Sequence, residues 1–98
     1  MERMKKVEII ITSLELGKVL STLEEVGVSG YTIIREVSGK GERGLVSNDV
    51  EMGAAFSNGY VMSICPEDKA TEFVEIIRPL LKKFGGVCLV SDVQSIIN

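Results

Sequence analysis

The sequence contains no histidine, and this absence excludes several common kinds of active site. Histidine contributes to most zinc sites and is the usual general base, including the base of Ser/His and Cys/His nucleophile systems. The two cysteines, Cys65 and Cys88, lie in separate apolar, strand-like runs and do not form a metal-ligand cluster. We expect buried free thiols rather than a redox pair, and no bound metal.

Long apolar runs and an excess of positive charge are also missing. No stretch approaches the ~20 apolar residues that a membrane-spanning helix needs, and no signal peptide is recognisable. The formal net charge is −3, which does not favour a nucleic-acid or membrane-surface role. We therefore expect a cytoplasmic protein with no nucleic-acid partner and no membrane insertion. Its 98 residues suit one domain, 1–98, that would gain from self-association.

Residues 30–44 predict a β-strand that continues into a glycine-rich, basic loop. Gly39, Gly41 and Gly44 give the backbone conformational freedom. Lys40 and Arg43 supply positive charge. Such a loop can aim several amide groups at one anion, so we interpret it as a phosphate-binding loop. Judged on these residues alone, an exposed, solvated loop explains the pattern equally well.

The apolar periodicity predicts four strands and two helices, in the order strand, helix, strand, long loop, strand, helix, strand. The strands are expected at 6–12, 31–37, 60–65 and 87–90, with 93–97 extending the last one or crossing to another subunit. This order is the α+β, ferredoxin-like split βαβ fold (βαββαβ), with a four-stranded antiparallel sheet and two helices on one face. Because the strands are apolar on both sides, we expect a homo-oligomer that packs the uncovered sheet faces together.

Local signals predict where the helices begin and end. A capping box at Thr12 and Glu15 opens the first helix, and Gly27 ends it. Pro66 opens the second helix, and Pro79 within it predicts a kink or a break. The buried stripe of the second helix should comprise Ala70, Phe73, Val74, Ile77, Leu80, Leu81 and Phe84.

Between the second and third strands, residues 38–59 hold five of the ten glycines. We predict one long flexible loop there, of which the basic glycine-rich segment is the first part. Loops of this length in compact domains are usually functional or disordered.

Five pieces of the sequence resemble the PII family of signalling proteins. They are Lys6–Ile11, Leu16–Gly27, Gly30–Thr32, Val61–Asp68 and Val87–Val93. Together they cover most of the chain except the loop. The segments Gly30–Thr32 and Gly39–Arg43 resemble more closely the PII-like branch found beside bicarbonate transporters and carboxysome genes.

This resemblance implies a homotrimer with an adenine nucleotide in each of three clefts between neighbouring subunits. The long loop would fold over the nucleotide or reach a partner, such as a membrane transporter or a carboxysome-related protein. We therefore expect a non-catalytic regulatory protein of inorganic-carbon metabolism, with bicarbonate as a second signal near Lys40 and Arg43. Ordering of the loop by its ligand would be the physical switch.

Several departures from the PII pattern bear on the ligand. Residues 38–59 contain no glutamine, which PII proteins use to hold magnesium and 2-oxoglutarate, and no tyrosine for uridylylation. The loop before the last strand is reduced to Gly85 and Gly86, and no arginine follows Arg78. We therefore expect a nucleotide with fewer phosphates than ATP, namely AMP, ADP or cyclic AMP.

The resemblance also assigns roles to individual residues. Thr32 would meet the base, while Gly39 and Gly41 would lie under the ribose and the phosphate. Lys40 and Arg43 would neutralise the phosphate, Arg43 through a two-pronged contact.

A further pair, Gly85 and Gly86, would present backbone amides to phosphate from the neighbouring subunit. A simple helix stop explains this glycine pair nearly as well. Thr32 likewise has a plain structural explanation, since threonine favours strands.

Two other classes of function use the same fold. An acylphosphatase-like hydrolase needs a phosphate loop between the first strand and first helix, but residues 12–15 contain neither glycine nor arginine. The remaining alternative is another ferredoxin-like small-molecule sensor, such as an amino-acid-binding or metal-tolerance trimer. Gly17 lies too far into the first helix to suit an amino-acid site, and the lack of histidine disfavours a metal role.

Overall fold

The structure, a computed structural model, describes residues 1–41, 44–46 and 57–96. Within these residues the chain forms six strands and two α-helices. The strands are β1 (Glu2–Thr12), β2 (Thr32–Val37), β3 (Gly39–Gly41), β4 (Gly44–Val46), β5 (Asn58–Cys65) and β6 (Val87–Ser95). The helices are α1 (Leu16–Val26) and α2 (Glu67–Phe84), and a 3₁₀ turn at Ser13–Glu15 precedes α1.

Four of the strands form one antiparallel sheet in the order β2-β5-β1-β6. This confirms the predicted ferredoxin-like fold, with β1 and β5 as the central strands. β3 and β4 form a separate two-stranded sheet, so the segment expected as one loop at 38–59 contains two short strands. β5 also begins inside that segment, at Asn58, while residues 42–43 and 47–56 lie outside the described residues.

Side chains alternate along β1 and β5, which divides the sheet into a helix-covered face and an open face. Val7, Ile9 and Ile11 are buried under the helices, whereas Ile10 between them is exposed on the open face. The core comprises Val7, Ile9, Ile11, Leu16, Val19, Leu23, Val26, Val61, Cys65, Ala70, Phe73 and Ile77. Phe84, expected in the buried stripe, is instead exposed at the end of α2.

The start of α1 differs from the predicted capping box. Thr12 makes no side-chain capping hydrogen bond, and Ser13–Glu15 forms the 3₁₀ turn instead. The backbone amide of Ser13 donates to the Ser57 carbonyl at 2.8 Å, and the two serine hydroxyls are also 2.8 Å apart. These contacts tie the turn to the chain entering β5, so the capping-box prediction is wrong. Gly27 ends α1 as predicted, with φ 90°.

α2 runs from Glu67 to Phe84 without the predicted break at Pro79. Pro79 is exposed, so water can bind the Glu75 carbonyl that the proline leaves without an amide donor. Acidic residues in the first turn and lysines in the last turn complement the helix dipole. Gly85 ends the helix with φ 74°.

A side chain from α2 holds the end of α1. The Lys69 ammonium donates a 2.8 Å hydrogen bond to the Val26 carbonyl, one of the last four carbonyls of α1. The cation also interacts favourably with the helix dipole. We expect Lys69→Met to lower the free energy of unfolding by about 1 kcal/mol in urea denaturation. Glu72→Met, at an exposed charged residue of α2 beyond its first turn, is the control, and equal losses in both variants would contradict this role of Lys69.

Candidate functional site

β2 forms one edge of the sheet and carries Thr32, the residue expected to meet a base. Thr32 is exposed and pairs with Met62 of β5, so the two side chains lie side by side on the open face. The adjacent residue Ile33 points to the other face and packs against the core. The Thr32 hydroxyl and the partly buried Met62 thioether thus lie together at the sheet edge, an arrangement that suits contact with a flat aromatic ring.

β2 ends in an irregularity just before the glycine-rich segment. Its register with β5 shifts between Ile34 and Val37, so the strand carries a bulge. Glu36 within this bulge has φ 59°, a left-handed conformation that costs a residue with a side chain about 1–2 kcal/mol. Bulges and strained residues cluster beside ligand sites. No local signal in the sequence predicts this bulge, because glycine or asparagine usually marks such a position.

Gly39, the first residue of β3, is not required by packing within the described chain. A Cβ placed there would meet nothing within 4 Å, and the residue does not have a positive φ. A glycine at this point therefore suits the close approach of a group from outside these residues. For Lys40 and Gly41 the structure gives the backbone of β3, and Arg43 lies outside the described residues. Their expected contacts with phosphate stay predictions.

The structure gives Gly85 and Gly86 a role in the fold. Both backbone amides donate to the Leu81 carbonyl, at 2.8 and 3.2 Å, and so cap the end of α2. A Cβ on Gly86 would lie 2.9 Å from the Ile10 carbonyl oxygen of β1. The amides expected to bind phosphate are thus already donating within the chain, and the helix stop accounts for both glycines.

The two predicted parts of the site are β2 with the glycine-rich segment, and the pair Gly85 and Gly86 before β6. They lie at opposite edges of the sheet. β2 forms one edge and β6 the other, with β5 and β1 between them. Val37 and Thr12 both pair with Asn58, and Gly86 precedes the residue that pairs with Ile10, so both parts lie near the same end of the sheet. Three strand spacings separate them, roughly 14 Å. A single phosphate can contact both segments only if another copy of the chain brings them together.

A polar cluster that sequence reasoning missed lies on the open face. The Tyr60 hydroxyl donates a 2.7 Å hydrogen bond to Glu8 Oε2, and Lys6 Nζ is 3.8 Å from Glu8 Oε1. The hydrogen bond to the carboxylate raises the pKa of the Tyr60 hydroxyl. The only available signal was Glu8 itself, a charged residue inside the apolar run of β1.

The thiols match the sequence expectation of free cysteines. Cys65 is buried and Cys88 is partly buried, neither forms a disulfide, and burial raises the pKa of both thiols. A thiol with a raised pKa is a weaker nucleophile at neutral pH. Among the described residues, no group of three or more His, Cys, Asp or Glu side chains could hold a metal ion. No helix in the described part of the chain is long and apolar enough to cross a membrane.

Two shallow grooves lie at the other end of the sheet. Their volumes are ≈ 270 and ≈ 610 Å³, and both are lined by Lys5 and Glu67. Lys5 is seven residues from Thr12 along β1, roughly 24 Å at the rise of a strand. The Lys5 ammonium pairs there with Asp92, which lowers the pKa of that carboxyl. These grooves are therefore far from the glycine-rich segment, which follows the other end of β2.

A sequence model of one protein family, "Nitrogen regulatory protein P-II", matches residues 4–98. The chain belongs to the P-II family. This confirms the PII resemblance drawn from the sequence segments, and it agrees with the ferredoxin-like topology. No curated protein matches the chain.

Solved structures of P-II-like proteins are similar to this chain. One is CPII, a nitrogen regulatory PII-like protein from Thiomonas intermedia K12, bound to ADP, AMP and bicarbonate: 28% identity, 95% of this chain and 88% of that chain covered, TM-score 0.85. CPII bound to ADP and bicarbonate has the same identity and coverage and a TM-score of 0.82. A PII-like signaling protein from Thermus thermophilus, at 20% identity, covers 97% of this chain and 90% of that chain with a TM-score of 0.73, and shares the fold.

Proposed function

We propose that this P-II protein is a non-catalytic regulator that binds an adenine nucleotide in clefts between the subunits of a homotrimer. AMP and ADP are the expected nucleotides, with cyclic AMP as a further one to test. The nucleotide sets the conformation of the segment 38–59, which in turn controls a partner. The observation that carries this proposal is the similarity to CPII, whose structure contains ADP, AMP and bicarbonate.

The edge formed by β2 supports a nucleotide site. In this proposal Thr32 meets the adenine, beside Met62 on the open face. The bulge at Glu36 then turns the chain into the glycine-rich segment, where Gly39 and Gly41 allow the ribose and phosphate to come close to the backbone. Gly85 and Gly86 act by ending α2 and letting it pack against β1, rather than by donating amides to phosphate.

Positive charge in the glycine-rich segment would bind the anionic part of the ligand. Lys40 and Arg43 neutralise the phosphates, and bicarbonate binds beside the same two cations. Two cations suit the short phosphate chain of AMP or ADP better than a triphosphate. Inorganic carbon is then the second signal. The partner is a membrane transporter or a carboxysome-related protein, which contacts the segment 38–59. The trimer acts in the cytoplasm.

The composition of the open face supports the homotrimer. Several large apolar side chains are exposed on this face, because neither helix of the chain covers it. They are Ile10, Ile34, Val87 and Leu89. Exposed apolar surface of this kind usually marks an interface. A closed trimer would bury the open face of each of its three copies. It would also bring the β2 edge of one copy near the β6 edge of the next.

Nucleotide binding is tested by calorimetry with AMP, ADP, ATP and cyclic AMP, each with and without bicarbonate. We expect ADP or AMP to bind more tightly than ATP, and bicarbonate to change the affinity. Arg43→Ala should weaken ADP binding by at least about tenfold, because a two-pronged arginine–phosphate contact is lost.

Arg78→Ala is the matched control for this test. Arg78 is an exposed arginine of α2 that pairs with Glu75 at 3.0 Å, on the helix layer. Its loss should leave the ADP affinity unchanged. Absence of binding for all four nucleotides would overturn the proposal, whereas equal effects of the two arginine substitutions would remove Arg43 from the site.

A further inference from the structure

Ser63 of β5 makes a contact that the proposed function has not yet used. Its hydroxyl donates a 2.6 Å hydrogen bond to the Gly30 carbonyl, and Ser63 is only 2% exposed. It points to the helix-covered face between Val61 and Cys65, both buried. A hydroxyl in such surroundings is costly unless it is hydrogen-bonded, so this bond is the reason that a serine fits there.

The bond lies just outside the backbone ladder between β2 and β5. The ladder begins with the pair Thr32 and Met62, and residues 28–31 before it have no regular secondary structure. Gly30 has no side chain to pack, and a Cβ placed there would meet nothing within 4 Å. The Ser63 hydroxyl thus provides a side-chain anchor where the ladder provides none.

This geometry fixes Thr32 from two sides. The backbone ladder holds Thr32 beside Met62, and the next residue of the same strand, Ser63, holds Gly30 through its side chain on the helix-covered face. Only Tyr31 lies between the two fixed residues of the incoming chain. The direction in which β2 starts, and with it the position of the Thr32 hydroxyl, therefore depends on Ser63.

We propose that Ser63 is a positioning residue for the base of the bound nucleotide: it holds Gly30, and so places Thr32 against the purine edge. This inference rests on the proposed function. It assigns Ser63 to recognition of the base and not of the phosphates, because the anchor lies at the start of β2, whereas the glycine-rich segment follows its end. Loss of the anchor should reduce discrimination between adenine and guanine, since both carry the same phosphates.

Ser63→Ala tests the proposal by calorimetry of ADP, AMP and GDP binding to the full-length protein. We expect the affinities for ADP and AMP to fall by the same factor, about five- to tenfold, and the affinity for GDP to change little. The ratio of ADP to AMP affinity, which reports the phosphate contacts, should stay as in the unsubstituted protein. Hydrogen exchange without ligand should become faster in residues 30–32 and stay unchanged in β1.

Cys65→Ala is the matched control, because Cys65 is equally buried on the same strand and face. It should lower stability without changing the preference for ADP over GDP. Ser63→Thr, which keeps the hydroxyl, should retain most of that preference. If the unsubstituted protein binds no nucleotide, the proposed function fails. If it binds ADP and Ser63→Ala keeps both affinity and preference, only the role of Ser63 is overturned.

Discussion

Gly86→Val is expected to lower the free energy of unfolding by about 3 kcal/mol, at the upper end of the range for overpacking a protein interior. The first added carbon alone would lie 2.9 Å from the Ile10 carbonyl oxygen, 2.9 Å from Leu81 Cδ2 and 3.0 Å from Ile11 Cγ1. The Leu81 side chain can rotate, but the oxygen belongs to the backbone of the central strand β1. Relief of the clash therefore requires the end of α2 or the start of β6 to shift away from β1.

Urea denaturation measures this loss, and Gly17→Val is the matched control. Gly17 is exposed in α1, and a Cβ there would meet nothing within 4 Å. Valine at that position should leave stability unchanged or raise it slightly, since glycine is the poorer helix former. A loss at Gly86 no larger than that at Gly17 would contradict the close packing against β1.

This expected loss also affects how ligand-binding experiments are interpreted. A Gly86 variant that fails to bind nucleotide would do so because the fold is disturbed, not because a phosphate contact is missing. Substitutions at Lys40 and Arg43 avoid this ambiguity, because their proposed roles depend on charge. Stability should therefore be measured alongside affinity for every glycine variant of this protein.

Most of the fold could be predicted because its signals are local. The apolar runs of β1 and β5, the helical spacing from Leu16 to Val26, and the left-handed glycines at 27 and 85 each act within a few residues. The order of these elements then leaves few topologies. The sheet order β2-β5-β1-β6 is the one that the split βαβ arrangement predicts.

Two of the incorrect predictions involve contacts between distant parts of the chain or with solvent. Thr12 and Glu15 fit a capping box, yet Ser13 binds Ser57 instead, 44 positions away in the sequence. Neither serine carries a local sign of that contact. The break expected at Pro79 is absent because the exposed side of α2 gives the freed carbonyl access to water. In each case tertiary structure or solvent satisfies the groups that a local rule leaves unpaired.

The candidate site was only partly visible in the sequence for the same reason. The strand leading into a basic glycine-rich segment is a contiguous pattern, so it could be recognised. The bulge at Glu36 depends on the register with β5, and the anchor from Ser63 to Gly30 joins residues 33 positions apart. The sequence likewise does not show that the backbone amides of Gly85 and Gly86 donate to the Leu81 carbonyl, so a phosphate could be expected to bind them.

Ile10→Lys is expected to convert the proposed trimer into a folded monomer. Ile10 lies on β1 at the centre of the open face, between its partners Tyr60 and Val87, and is 37% exposed in the single chain. Packing of three open faces would bury three added ammonium groups, and the nearby Glu8 carboxylate already accepts from Tyr60 and lies 3.8 Å from Lys6 Nζ. We therefore expect a cost of several kcal/mol per copy. In the monomer the same lysine would reach water, so the fold itself should tolerate it.

Sedimentation velocity distinguishes these states, and Ile76→Lys provides the matched control. Ile76 is 49% exposed on α2, on the opposite layer of the molecule, so the same substitution there should leave the trimer intact. The Ile10→Lys monomer should also lose ADP binding while keeping its circular-dichroism spectrum, because the proposed cleft lies between two copies of the chain. If Ile10→Lys stays trimeric, another surface forms the interface. If the monomer still binds ADP with full affinity, the site is complete within one chain, and the proposed cleft between subunits is wrong.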